Sequence, residues 1–117
     1  MRAALLVLLV SLTVTLSAAS YTKFEALTVA NTSVGFTAAN INNTTGAHPS
    51  ATQSACRLET AEIRYTVDGT TPTTTVGVLL EIGDQLVLNG NDTLNNFRAI
   101  RTGATSGVLD CTHIGAY

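Results

Sequence analysis

Ile63, Tyr65 and Val67 alternate with Arg64 and Thr66, and the run ends in Asp68-Gly69 and Pro72. A period of two is the mark of a half-buried strand. Aspartate-glycine accepts the positive φ of a turn, and proline cannot donate to a strand ladder. The decapeptide therefore predicts a strand that runs into a rigid polar turn. Similar short bursts recur along the chain. Phe24 to Val29 reads as a first strand, turned by Asn31-Thr32-Ser33, and Val34 to Thr37 as a second. Residues 40–54 are polar and read as a long loop. Cys56 to Thr60 and Glu62 to Val67 read as strand segments, or as one bent strand broken near Ala61. The threonine run from Thr70 to Thr75 is turn or edge material. Val76 to Leu80 follows as a short strand, and Ile82-Gly83-Asp84 as a turn.

Gln85 to Leu88 is the next strand, with Leu86 and Leu88 facing inward. Asn89 to Asp92 is a turn cluster in which Asp92 caps a helical turn through Asn95. Phe97 to Thr102 is a strand that needs a bulge, because Phe97 and Ile100 otherwise fall on opposite faces. Gly103 to Gly107 turns the chain, and Val108 to Ile114 closes it. Helical periodicity is not sustained anywhere beyond residue 20. About seven to eight short strands at this spacing predict one all-β, antiparallel sandwich of Ig-like or jelly-roll-like type over residues 20–117.

Residues 1–19 stand apart from this pattern. Arg2 precedes an apolar run from Ala3 to Val10, and Ser17-Ala18-Ala19 fits the small-residue rule for cleavage before Ser20. The segment reads as a secretory signal or as an attached N-terminal arm. Its strongly apolar part is shorter than the roughly 20 residues that span a bilayer, so no stable membrane insertion of the mature chain is expected.

Composition narrows the function. With six basic against eight acidic residues in 117, and no basic run, the chain lacks the positive footprint of a nucleic-acid binder. The acids sit at strand edges and turns, and no nucleophile, base and orienting group are evident together, so no enzyme is expected. Cys56 alternates with Leu58, and Cys111 with Leu109, so both thiols should face inward. They form either a disulfide or two buried free thiols. Two cysteines with His48 and His113 do not make a tetrahedral zinc set, and Asn89 to Asp92 lacks the spacing of a calcium loop. No metal or cofactor is expected. Four Asn-x-Ser/Thr sequons, at Asn31, Asn42, Asn43 and Asn91, are what chance provides in a chain this rich in Asn and Thr. Tryptophan is absent, which makes glycan binding through an aromatic platform the lesser alternative. The candidate contact surface is Thr70, Thr71, Thr73, Thr74 and Thr75, together with Asn42, Asn43 and His48 from the long loop.

The hairpin Tyr65-Thr66-Val67-Asp68-Gly69-Thr70-Thr71-Pro72-Thr73 resembles that of the Ig-like domains appended to chitobiase-type glycosidases and to bacterial surface proteins. More of the chain is similar to small, capsid-proximal virion proteins of tailed bacteriophages. The residues that carry this second resemblance are Phe24 to Asn31, Gly35-Phe36-Thr37, Glu59 to Tyr65 and Arg98 to Gly103. It implies an auxiliary virion protein, of decoration, cement or head–tail type. Its partners would be capsid or other virion proteins and further copies of itself. The chitobiase-like hairpin implies instead a secreted adhesive module or a carbohydrate-binding accessory domain. If residues 1–19 are a signal, the intact mass of the chain recovered from its native source will correspond to a start at Ser20. A mass that retains Met1 identifies an arm.

Overall fold

The computed structural model describes residues 20–116; both readings of residues 1–19 lie outside the described residues. In chain order the elements are β1 (Ser20–Val29), α1 (Ala38–Ile41), β2 (Gln53–Glu59), β3 (Ile63–Thr66), β4 (Val78–Leu80), β5 (Gln85–Asn89), α2 (Asn91–Asn96), β6 (Arg98–Arg101) and β7 (Gly107–Ala116). The strands form a sheet of order β1-β7-β2-β5 and a sheet of order β4-β3-β6, every pairing antiparallel. The two sheets pack together as the expected all-β sandwich. Ser20 lies opposite Ala116, so the two ends of the described chain meet on neighbouring strands.

The alternation read from the sequence is the alternation that is buried. On β7, Gly107, Leu109, Cys111, His113 and Gly115 face the core, and the residues between them face out. Leu58 on β2, Leu86 and Leu88 on β5, Ile63 on β3 and Ala99 on β6 complete the two inner faces. Each large apolar side chain so buried contributes about 1.5–3 kcal/mol. Phe36 and Phe97 stack with ring centroids 4.4 Å apart, and Tyr65 leans on Phe97 at 5.9 Å.

Several expectations need correction. Val34 to Thr37 is not a strand. Val34 makes a single bridge to Ala99, and the ladder goes no further because the next partner in register, Phe97, is the C-cap of α2 and its carbonyl accepts from Arg98 Nη1 at 2.6 Å. Cys56–Thr60 and Glu62–Val67 are not one bent strand: β2 and β3 belong to different sheets, and the chain crosses between them at Thr60, which takes a φ of +80°. No bulge is needed near Phe97. Phe97 and the small Ala99 share the inner face, and Ile100 lies on the outer face opposite Arg64. Asp92 does not cap α2; Gly90 occupies that position without a side-chain bond, and Asp92 sits exposed in the first turn. The long loop carries α1 and is anchored by buried Ile41, Pro49 and Ala51.

β3 ends at Thr66, so Val67 does not continue its inner face and is exposed. The connection to β4 is longer than a tight hairpin. Asp68 Oδ1 accepts the Thr70 N–H at 3.0 Å, and Gly69 holds a φ of +85°. Pro72 does more than end a strand, because its ring is fully buried. Arg64 binds the connection from below, donating from Nε to the Thr74 carbonyl at 3.0 Å and from Nη1 to the Gly77 carbonyl at 2.9 Å.

Gly107 opens β7 where the sheets converge. A Cβ there would lie 2.6 Å from the Ala61 carbonyl oxygen and 2.6 Å from Ile63 Cγ2. Gly107→Ala should therefore lower stability in urea by about 1–3 kcal/mol, the usual cost of overpacking. Gly103→Ala, which meets nothing within 4 Å, should leave the midpoint nearly unchanged.

Candidate functional site

Three polar residues fall in phase with the apolar inner faces. Glu25 shares its face with Leu27 and Val29, Ser54 with Cys56 and Leu58, and His113 with Leu109 and Cys111. Ser54 and His113 are opposite one another on β2 and β7, and Glu25 reaches His113 from β1. The Ser54 Oγ–His113 Nδ1 distance is 2.5 Å and the His113 Nε2–Glu25 Oε1 distance is 2.9 Å. A carboxylate only accepts, so Nε2 donates to Glu25, and in the neutral tautomer Nδ1 accepts from the Ser54 hydroxyl. The other carboxylate oxygen accepts from the Thr37 N–H at 3.1 Å and the Thr37 hydroxyl at 2.7 Å. Burial pushes the Glu25 carboxyl up, but the hydrogen bonds from Thr37, His113 and Asn40 outweigh it and hold the pKa below the ordinary glutamate value.

Serine, histidine and glutamate in sequence are the parts of a hydrolytic triad. Here Ser54 and His113 are 0% exposed and Glu25 is 8% exposed, inside the sandwich. A substrate has no path to Ser54 Oγ in this conformation. The relay ties β1, β2 and β7 to the segment that follows Val34. Glu25 departs from the expectation that the acids sit at strand edges and turns, since it is buried against His113, whereas Asp68 and Asp84 do lie in turns. The signal that finds the cluster is the same period-2 phase that places the cysteines.

Cys56 and Cys111 are directly opposed on β2 and β7, bonded to each other and buried, so the free-thiol alternative falls. Their Cα atoms are 4.0 Å apart, which matches a pair between ladder hydrogen bonds.

The expected contact residues are divided in kind. Thr70, Thr71, Thr73, Thr74 and Thr75 are all exposed on the β3–β4 connection. Asn42 is not a free surface residue. Its Nδ2 donates to Asn95 Oδ1 at 2.8 Å, and its Oδ1 accepts from Asn95 at 3.0 Å and Asn91 at 3.2 Å. Asn43 is exposed, but its Oδ1 accepts the Gly46 N–H. His48 is half-buried and stacks flat on Tyr21 at 3.9 Å.

The larger surface feature is one the threonine run only borders. On one side the sandwich is sealed: Arg101 donates its N–H to the Ala30 carbonyl, and Val34 bridges Ala99. On the other side β4 and β5 are joined by the turn at Gly83, and no described strand pairs with the outer edge of either. Val78, Ile82 and Val87 along this open seam are 56%, 62% and 55% exposed, with Val76 and Leu79 beside them. A shallow depression lined by Tyr65, Thr66, Val67, Asp68, Gly77 and Val78 adjoins it. Among the described residues there is no group of three or more His, Cys, Asp or Glu that could hold a metal ion, and no helix is long and apolar enough to cross a membrane. No family model, curated protein or solved structure matches the chain.

Because the Glu25 pKa is lowered on folding, its stabilising share is present above the ordinary glutamate pKa and is lost as pH falls through the folded value. Glu25→Gln should destabilise the fold by about 1–3 kcal/mol at neutral pH. Thermal melts of the two proteins should converge as the pH is lowered below the ordinary glutamate pKa.

Proposed function

We propose that this chain is a non-enzymatic structural module that works by macromolecular contact, and that it serves as an auxiliary virion protein of a tailed phage. The observation that carries the contact reading is the unequal sealing of the sandwich, with one closed seam and one open seam lined by exposed valine, leucine and isoleucine. Unpaired strand edges and apolar side chains are what β-augmentation and edge packing use. The exposed threonine connection, held by Arg64, offers a shaped polar border to the same surface. The virion assignment comes from the resemblance of Phe24–Asn31, Glu59–Tyr65 and Arg98–Gly103 to capsid-proximal proteins. In a lattice, many weak contacts add up to firm attachment. The partners are then capsid or other virion proteins and further copies of the chain.

A second reading is favoured by the Cys56–Cys111 bond, because disulfides form and persist in oxidising compartments and outside cells. In it the chain is a secreted Ig-like adhesive module. Density-gradient purification of particles from the producing lysate separates the two. A virion protein bands with the particles in a fixed copy ratio and stays through a salt wash. Recovery only from the medium, with a mature start at Ser20, overturns the virion assignment in favour of the secreted module.

A further inference from the structure

The open seam contains one edge whose chemistry is complementary to itself. Along β5 the pairing with β2 sets which backbone groups remain free. Gly90 donates its N–H to the Thr52 carbonyl and Asp84 accepts from the Leu58 N–H, so even-numbered residues of this strand turn their backbone groups toward β2. The N–H and C=O groups of Gln85, Val87 and Asn89 therefore point outward, away from the sheet. The strand reads Gln-Leu-Val-Leu-Asn and carries no charge. It has none of the lysines, prolines or inward charges that usually block edge pairing. β1, at the far edge of the same sheet, carries Lys23 and Glu25.

We propose that β5 pairs with β5 of a second copy, antiparallel about a two-fold axis at Val87, to form a homodimer with one continuous sheet. In this register Val87 exchanges both backbone bonds with its counterpart, and Gln85 exchanges both with the partner copy's Asn89. Gln53 Nε2 already donates to Asn89 Oδ1 at 2.9 Å, which leaves the Asn89 amide free to donate to a glutamine across the axis. On the outer face, Phe24, Thr112, Ala55 and Val87 stand in one row across the four strands. The dimer extends that row through the axis, with Val87 against Val87. A two-fold contact of this kind closes on itself and does not propagate into a fibre. The inference rests on the contact reading above and names its partner as another copy.

The test uses the full purified chain in solution. Sedimentation analysis over a micromolar concentration series should show a reversible dimer. Val87→Lys, which sets two ammonium groups face to face at the axis, should raise the dissociation constant at least tenfold. Val87→Pro removes an outward N–H that β2 does not use, so it should give the same loss while the thermal melt stays cooperative; Val87→Thr should retain the dimer. Hydrogen exchange should protect the amides of Gln85, Val87 and Asn89 on dimerisation. A monomer at every concentration, or a dimer whose protection falls on β4 or β1, overturns the inference. Because no particle is involved, a chain that is monomeric in solution yet bands with particles would sink the β5 pairing alone. A dimer absent from particles would sink the virion assignment alone.

Discussion

The pairing of β2 with β7 is the contact on which the rest of the sandwich depends. These are the two central strands of the larger sheet, and three successive inward rungs join them by three kinds of bond. Ser54 and His113 meet through a hydrogen bond, Cys56 and Cys111 through a covalent bond, and Leu58 and Leu109 through apolar packing. Each kind fails under different conditions. A disulfide closing a loop of this length contributes about 4 kcal/mol in the chain-entropy picture. The apolar rung contributes a similar amount for its two side chains together. The polar rung contributes least in net terms, yet leaving one member unpaired costs about 1–3 kcal/mol. The polar rung therefore acts more by penalising wrong registers than by adding stability, since a one-residue slip would carry His113 out of reach of both its partners.

Glu25 extends this control beyond the central pair. Its carboxylate accepts from His113 and from the backbone and hydroxyl of Thr37, which fastens the segment after Val34 to β1. One seam of the sandwich is closed by that segment. The other is left to β4 and β5, whose connecting turn is satisfied internally by Asp84 Oδ2 accepting the Glu81 N–H. The closed side is thus held partly by a carboxylate placed where an apolar residue would ordinarily be.

Much of this was legible in the residues, and the misses have physical causes. Alternation around Cys56, Leu86, Leu88, Leu109 and Cys111 predicts the inner faces because strand sterics impose a strict period of two. The same phase applied to Glu25, Ser54 and His113 would have put three polar groups inside, and buried polar groups require partners. Reading each by its chemical type alone hid the cluster. The Val34 segment has the composition of a strand, but the partner it would pair with gives way to α2 at Phe97, and local residues do not carry where a partner ends. The open seam was missed because Val76, Val78, Leu79 and Ile82 look like core residues. Whether a valine is covered depends on where the opposite sheet ends, and a local pattern does not carry that distance.

Ser20 sits beside Ala116 at one end of an antiparallel pair. A tension applied between these two positions loads the β1–β7 ladder one rung at a time, as a zipper is opened, and the first bonds yield at low force. Peeling reaches Glu25 and its partners after a few rungs, and there the resistance rises. β7 itself cannot follow β1 away, because the sulfur bridge at Cys111 fastens it to β2. The module is therefore soft to traction at its own pole for a short extension and then stiff.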